Sequence, residues 1–182
     1  MDAIKAWKTT DGNTCSVYYD QNCVFENPRE WCNLGRIIVP ENCRYLSSED
    51  ELPGLTWDDK EADLKYLREN YIYVFPVFVL DHSAVEFSTR FINSPWGHWD
   101  CEQIGWIVID ENDLKYYSEK IDEKRALEIA EGELETLTQW ANGEVYGFEV
   151  TDPDGNHVDS CWGYYSIEDI KAEHPEIEEA QA

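Results

Sequence analysis

Apolar positions recur along this chain with two periods, one helical and one of strands. Leu64, Leu67 and Tyr71 fall at i, i+3 and i+7, which predicts a helix over about 57–69. Asp58, Asp59, Glu61 and Asp63 crowd its first turns, where carboxylates suit the positive end of a helix dipole. Leu127, Ala130, Leu134 and Leu137 recur at steps of 3, 4 and 3 and predict the longest helix, from 122 to about 139. Ser166, with Asp169 three residues on, opens a short third helix in capping-box style, and His174-Pro175 ends it.

The strand signals are shorter. Residues 16–19 and 36–39 read as strands separated by the turn-rich Asn27-Pro28-Arg29-Glu30. Residues 71–81 are rich in Tyr, Ile, Val and Phe, and Pro76 demands an edge position or a bulge there. Asp81-His82-Ser83 turns the chain into a partner strand over 84–89, and 93–103 is a loop carrying Trp96 and Trp99. Residues 104–110 are almost wholly apolar, as in a central strand. A hairpin follows over 144–151 and 157–165, about the turn Asp152-Pro153-Asp154-Gly155-Asn156. The pattern predicts an α+β fold, a mostly antiparallel sheet packed with two or three helices in a single domain over 1–182. Within it, 1–48 is near neutral, 49–173 forms an acidic body, and 174–182 is expected to fray.

Composition sharpens this picture. The chain of 182 residues is 42% hydrophobic with 8 Trp, 11 Tyr and 6 Phe, unlike a disordered acidic tract. It carries 39 acids against 14 bases, a formal net charge of −25. Such a charge opposes direct binding to nucleic acid or anionic lipid and favours a basic partner surface. Residues 1–48 contribute only −1, whereas the last 45 residues contribute −10 and hold a single base, Lys171. Solubility or halophilic adaptation would also explain a negative surface.

Position matters more than amount. Glu128, Glu131 and Glu135 form an acidic stripe beside the apolar one, with no base following Arg125 on that helix. Like charges at this spacing cost ~0.2–0.5 kcal/mol per pair, so helix stability does not explain them. The stripe reads as a contact surface, joined by Asp152, Asp154 and Asp159 and by a second patch, Glu49, Asp50 and Glu51. Trp96 and Trp99 add aromatic anchors of the kind that dominate interfaces. A net charge of this size matches ~12 base pairs of duplex, ~40 Å long. A globule of this length spans about the same distance. The chain therefore has the charge to imitate DNA.

Candidate chemistry is sparse. The first residues lack the apolar core of a secretion signal, and the longest apolar run, 71–80, is too short for a membrane span of ~20 residues. Six cysteines without a C-x-x-C pair read as reduced thiols of a cytoplasmic protein. Cys15, Cys23, Cys32 and Cys43 leave a zinc site open, although spacings of eight, nine and eleven lack tight ligand pairs. Asp152, Asp154, Asn156 and Asp159 imitate a calcium loop, but its twelfth position is Gly163 rather than Glu. Asp81, His82 and Ser83 are consecutive and so cannot align as a relay. A thiol–imidazole pair would need Cys101 or Cys161 beside His82, His98 or His157, and inert thiols are the commoner outcome. No phosphate-cradling Gly-rich loop occurs, and a magnesium nuclease would need more basic groups. No catalytic residue, metal or cofactor is assigned; a metal-dependent enzyme stays as the remote alternative.

Several stretches carry a family resemblance. They are Asn27 to Gly35 (NPREWCNLG), Asp81-His82-Ser83, Pro95-Trp96, Gln103-Ile104-Gly105, Gly132 to Thr136 (GELET), Gly143 to Gly147 (GEVYG) and Asp159 to Tyr164 (DSCWGY). Across about 15–165 the chain resembles a family of acidic proteins from phages and mobile elements of gut bacteria, and at this length it is most similar to type II-A anti-CRISPR proteins. The resemblance implies a non-enzymatic inhibitor acting in a bacterial host cell on Cas9 with its guide RNA. An acidic face would occupy the basic nucleic-acid channel or block the later docking that licenses cleavage. The related alternative is a DNA mimic aimed at another DNA-binding host protein. Cys32 stands where relatives often have Asp, and Cys101 where they often have Ser. The motifs carry no catalytic assignment.

Overall fold

A computed structural model describes residues 2–23, 27–93, 100–117 and 120–180. Among these the chain is α+β, with two four-stranded antiparallel sheets and four α-helices. Each sheet belongs to its own compact unit, one of residues 1–28 and 139–182, the other of 29–138. The boundary falls within a long helix, and the first unit is assembled from both ends of the chain.

The first unit's sheet runs in the order β1 (Lys5–Lys8), β2 (Thr14–Tyr19), β7 (Tyr146–Thr151), β8 (His157–Tyr164). Period-2 alternation turns Cys15, Val17, Phe148 and Val150 to one side, where all are buried. Helix α4 (Ile167–Glu173) lays Ile170 on that side, together with Trp7 and Ile177. Its N-cap is Ser166, whose Oγ accepts from Asp169 N at 2.9 Å. The segment after His174 does not fray as the sequence suggested. Ile177 is 2% exposed, Trp7 Nε1 donates to its carbonyl at 2.6 Å, and Ala180 N donates to Lys8 O at 2.9 Å. One buried isoleucine, worth ~1.5–3 kcal/mol, outweighs the acidity around it.

The second unit's sheet runs β3 (Arg36–Ile38), β6 (Cys101–Ile109), β4 (Tyr73–His82), β5 (Ala84–Ser88). Strand β6 is interior, which accounts for its unbroken apolar run; Cys101 to Gln103, read above as loop, extend it. Gly105 is required there because a Cβ would come within 2.2 Å of the Ile38 carbonyl. Strand β4 is also interior, yet β5 reaches only as far as Phe78, so Pro76 has one neighbour, Trp106, and a bulge follows at Val77/Phe78. The proline thus sits where a missing N–H costs nothing.

One face of this sheet, with Ile38, Val74, Trp106 and Val108, is covered by Leu67 of α1 (Lys60–Asn70). The other carries Ile37, Phe75 and Ile107 in register. Helix α1 starts three residues later than the periodicity implies, because Trp57 has φ 65° and Asp59 is the N-cap. Helix α3 (Glu123–Ala141) buries Ala126, Ala130, Leu134 and Leu137, while Leu127, expected in that stripe, is only half-buried. Strand β1 and the single-turn helix α2 (Glu111–Leu114) had no sequence signal strong enough to place them. No helix among the described residues is long and apolar enough to cross a membrane.

Candidate functional site

The acidic stripe of α3 has bases beside it. Glu128 lies 3.6 Å from Lys124 and 3.2 Å from Arg125. Glu131 accepts from Thr89 Oγ1 at 2.9 Å and pairs with Arg90 at 3.0 Å. Of these three glutamates, Glu135 alone is exposed with no ion pair to any of the described residues. The inference that this face lost its positive partners after Arg125 is corrected: two partners, Lys124 and Arg125, precede the stripe by a helical turn, and a third, Arg90, arrives from beyond β5. Such exposed pairs add little stability, but they do offset the local charge.

Glu133, on the same helix, does something different. Its side chain is 11% exposed, and its carboxylate accepts from Leu34 N at 2.6 Å, from Gly35 N at 3.2 Å and from Arg29 Nη1 at 3.3 Å. Arg29 in turn grips both oxygens of Glu49 at 2.6 and 2.9 Å and the Gly35 carbonyl at 2.5 Å. Burial works against the Arg29 charge, but the two carboxylates overcome it and hold the guanidinium above its usual range. Burial pushes the Glu133 carboxyl up, opposed by the Leu34 amide and Arg29.

Glu49 is therefore not an open contact residue. Its Oε2 accepts from Ile37 N at 3.0 Å and its own amide donates to Ile37 O at 2.9 Å, closing the free edge of β3. Asp50 and Glu51 remain available. Asp50 is 3.9 Å from Arg36, which binds Asp110 more closely at 2.6 Å, and Glu51 is exposed. Both border a groove of about 530 Å³ beside β3.

In the β7–β8 turn, Asp152 faces inward. It accepts from Asp154 N at 3.0 Å and from Asn156 N and Nδ2 at 2.8 and 2.9 Å, bonds that hold its carboxyl below the ordinary range. These are the bonds of an Asx turn, and they occupy the carboxylate that a calcium loop would need. Asp154 and Asp159 are exposed. The first unit holds 15 acids and three bases. Of those bases Lys171 sits 4.8 Å over the Trp7 ring and 3.8 Å from Glu179. Exposed Asp154, Asp159, Glu168, Asp169 and Glu173 have no ion pair with a base among the described residues.

Trp96 and Trp99 lie outside the described residues. Asp81 faces Arg44 and Tyr45, whereas His82 faces Asp100 at 3.5 Å and Ser83 has φ 67°, so no relay forms among the three. Cys15, Cys23 and Cys101 are buried and Cys32 is exposed; burial pushes the Cys15 thiol up to about 11. Among the described residues no three His, Cys, Asp or Glu side chains are grouped to hold a metal.

The residues that sequence reasoning missed are those with buried polar roles: Arg29, Glu133 and Asp63. Asp63, 2% exposed, accepts from Thr56 N, Thr56 Oγ1 and Trp57 N at 2.9, 3.2 and 2.9 Å and fixes the approach to α1. Other stretches far apart in sequence meet in the same manner. Arg29 and Gly35 join Glu133, and a Cβ on Gly147 would strike the Trp162 ring at 2.1 Å. These stretches are what the fold requires, whatever surface it presents. No protein-family model matches the chain, and no curated protein and no solved structure is significantly similar to it.

Proposed function

We propose that this protein is a non-enzymatic anti-CRISPR inhibitor that docks an acidic surface on the basic nucleic-acid channel of Cas9 bound to its guide RNA. One observation carries the reading: the base-poor C-terminal part exposes carboxylates while its single base, Lys171, is engaged by Trp7 and Glu179. Such a surface offers a channel lined with Lys and Arg the counter-charges that DNA would bring. In the first unit Asp154 and Asp159 are the contact carboxylates; in the second, taken by itself, Glu51 and Glu135 are the acids open to a basic partner, and Glu128 and Glu131 contribute less because they already have partners.

The test is DNA cleavage by purified Cas9 with varied order of addition. Inhibition when the protein precedes target DNA, weakening steeply as salt rises from 50 to 200 mM, is the expected outcome. Asp154→Asn with Asp159→Asn lowers potency, and Glu128→Gln with Glu131→Gln lowers it less. Uninhibited cleavage at every order of addition refutes the proposal, and capture of a different DNA-binding protein would redirect it to that target.

A further inference from the structure

The groove beside β3 has a floor and a rim of opposite character. Ile38 and Val39, 1% and 3% exposed, form the floor with Leu52 and Leu55. Its rim carries Glu41, Asp50 and Glu51, and no Lys or Arg lines it. Trp57 is one wall, and the same residue lines a second cavity of about 300 Å³. There Arg44 and Lys60 accompany Asp63 and Glu102, so its charges balance. The two cavities share a wall and differ in sign. Trp57 keeps that wall in place in a left-handed conformation, φ 65°, which a β-carbon disfavours. The buried Asp63 holds it there through the Trp57 amide.

An apolar cleft rimmed by carboxylates suits a cation with an apolar stem. An aromatic wall selects guanidinium over ammonium, because the planar group both stacks and pairs with a carboxylate. We propose that the groove is an arginine socket. It receives an arginine side chain from a basic partner surface, the stem on Ile38, Val39 and Leu52 and the guanidinium between the Trp57 ring and the carboxylates of Asp50 and Glu51. Asp50 has acceptor capacity left for it: its Oδ1 takes the Glu51 amide at 3.0 Å, and Arg36, 3.9 Å from its Oδ2, is bound more closely by Asp110 at 2.6 Å. The inference rests on the proposed docking to a basic channel for its partner, but the groove can be probed without the nuclease.

The probe is octa-arginine, titrated into the full-length protein and followed by ¹H–¹⁵N spectra, with octa-lysine as the comparison. Expected are saturable shifts of the Trp57 indole N–H and of the amides of 51–55, with octa-arginine the tighter ligand. The triple variant Glu41→Gln/Asp50→Asn/Glu51→Gln weakens this site about tenfold. Asp154→Asn/Asp159→Asn/Glu168→Gln, which removes equal charge elsewhere, weakens it less than about twofold. Both triples alter exposed or half-buried side chains, and spectra otherwise unchanged establish that they fold. A silent Trp57, equal weakening by the two triples, or equal affinity for the two peptides overturns the socket. If octa-arginine binds as described while Cas9 with its guide does not, the functional reading falls and the socket stands. If Cas9 binds while Trp57 stays silent to octa-arginine, the socket alone falls.

Discussion

Glu133 and Glu135 are two residues apart on α3, chemically identical, and should respond oppositely to removal. Glu133→Ala strips the acceptor from the Leu34 and Gly35 amides, bonded at 2.6 and 3.2 Å, and takes from Arg29 one of its two carboxylates. Each orphaned buried N–H costs ~1–3 kcal/mol, and breaking a buried ion pair commonly costs ~3–5 kcal/mol in all. These ranges overlap rather than add, because Glu49 still holds Arg29 in a bidentate grip. A loss of about 3–4 kcal/mol follows, or ~6–16 °C in Tm for a chain of this size. Glu133→Gln keeps one acceptor and loses the charge, which leaves about half that deficit. Glu135→Ala removes an exposed carboxylate one turn from Glu131 and changes stability by less than ~0.5 kcal/mol. Thermal and urea unfolding of the three variants, monitored by far-UV circular dichroism, checks the ranking. A Glu133→Ala variant within 2 °C of the parent, or a Glu135→Ala variant as damaged as it, refutes the buried network.

Two further outcomes follow from the same geometry. Pulsed alkylation of the native protein should modify exposed Cys32 first and spare Cys15, whose thiol burial pushes up to about 11; Cys15 reacting at the rate of Cys32 would contradict its place in the core opposite Trp7. The Asp152 carboxyl is lowered from 3.8, so its bonds to Asn156 stabilise the turn above that pH and are lost as acid protonates it. Asp152→Asn retains an Asx acceptor that does not titrate, so amide shifts of residues 153–156 should move less between pH 5 and 2 than in the parent. Equal movement in the two proteins would mean that the turn does not depend on that carboxylate.

The sequence was legible wherever burial follows a period. The strand at 104–110, the α3 stripe at Ala130, Leu134 and Leu137, the hairpin about Asp152 and the cap at Ser166 were all read from spacing, because apolar alternation and short-range capping are local. Pro76 shows the limit of a local rule. It correctly demanded an edge or a bulge, but only pairing with β6 and the short reach of β5 decide how an interior strand satisfies it. Charges were legible only in bulk. Glu131 looked unpartnered because Arg90 lies 41 positions away in sequence, whereas the partners of Glu128, Lys124 and Arg125, stand a turn back on its own helix. Glu133 carried no signal of its own, because the amides that bind it come from residues 34 and 35.

That distinction separates the residues that hold the frame from those that only charge its surface. The stretch Asn27 to Gly35 supplies Arg29 and the Leu34 and Gly35 amides, and Gly132 to Thr136 supplies Glu133, so two stretches far apart in sequence meet in one buried network. Gly147 and Trp162, from two others, are coupled by the absence of a Cβ between them. Residues with such roles fix a backbone and do not set the charge of the surface it carries. Asp50, Glu51, Asp154, Asp159 and Glu135 lie outside that network, on loops and turns, on the exposed side of β8 and on the open side of a helix, where substitution costs little stability. The network therefore leaves the surface charge open to change on one frame. Neutralising the groove rim with Glu41→Gln/Asp50→Asn/Glu51→Gln should weaken octa-arginine binding without moving Tm, whereas Glu133→Ala should lower Tm and leave that binding unchanged.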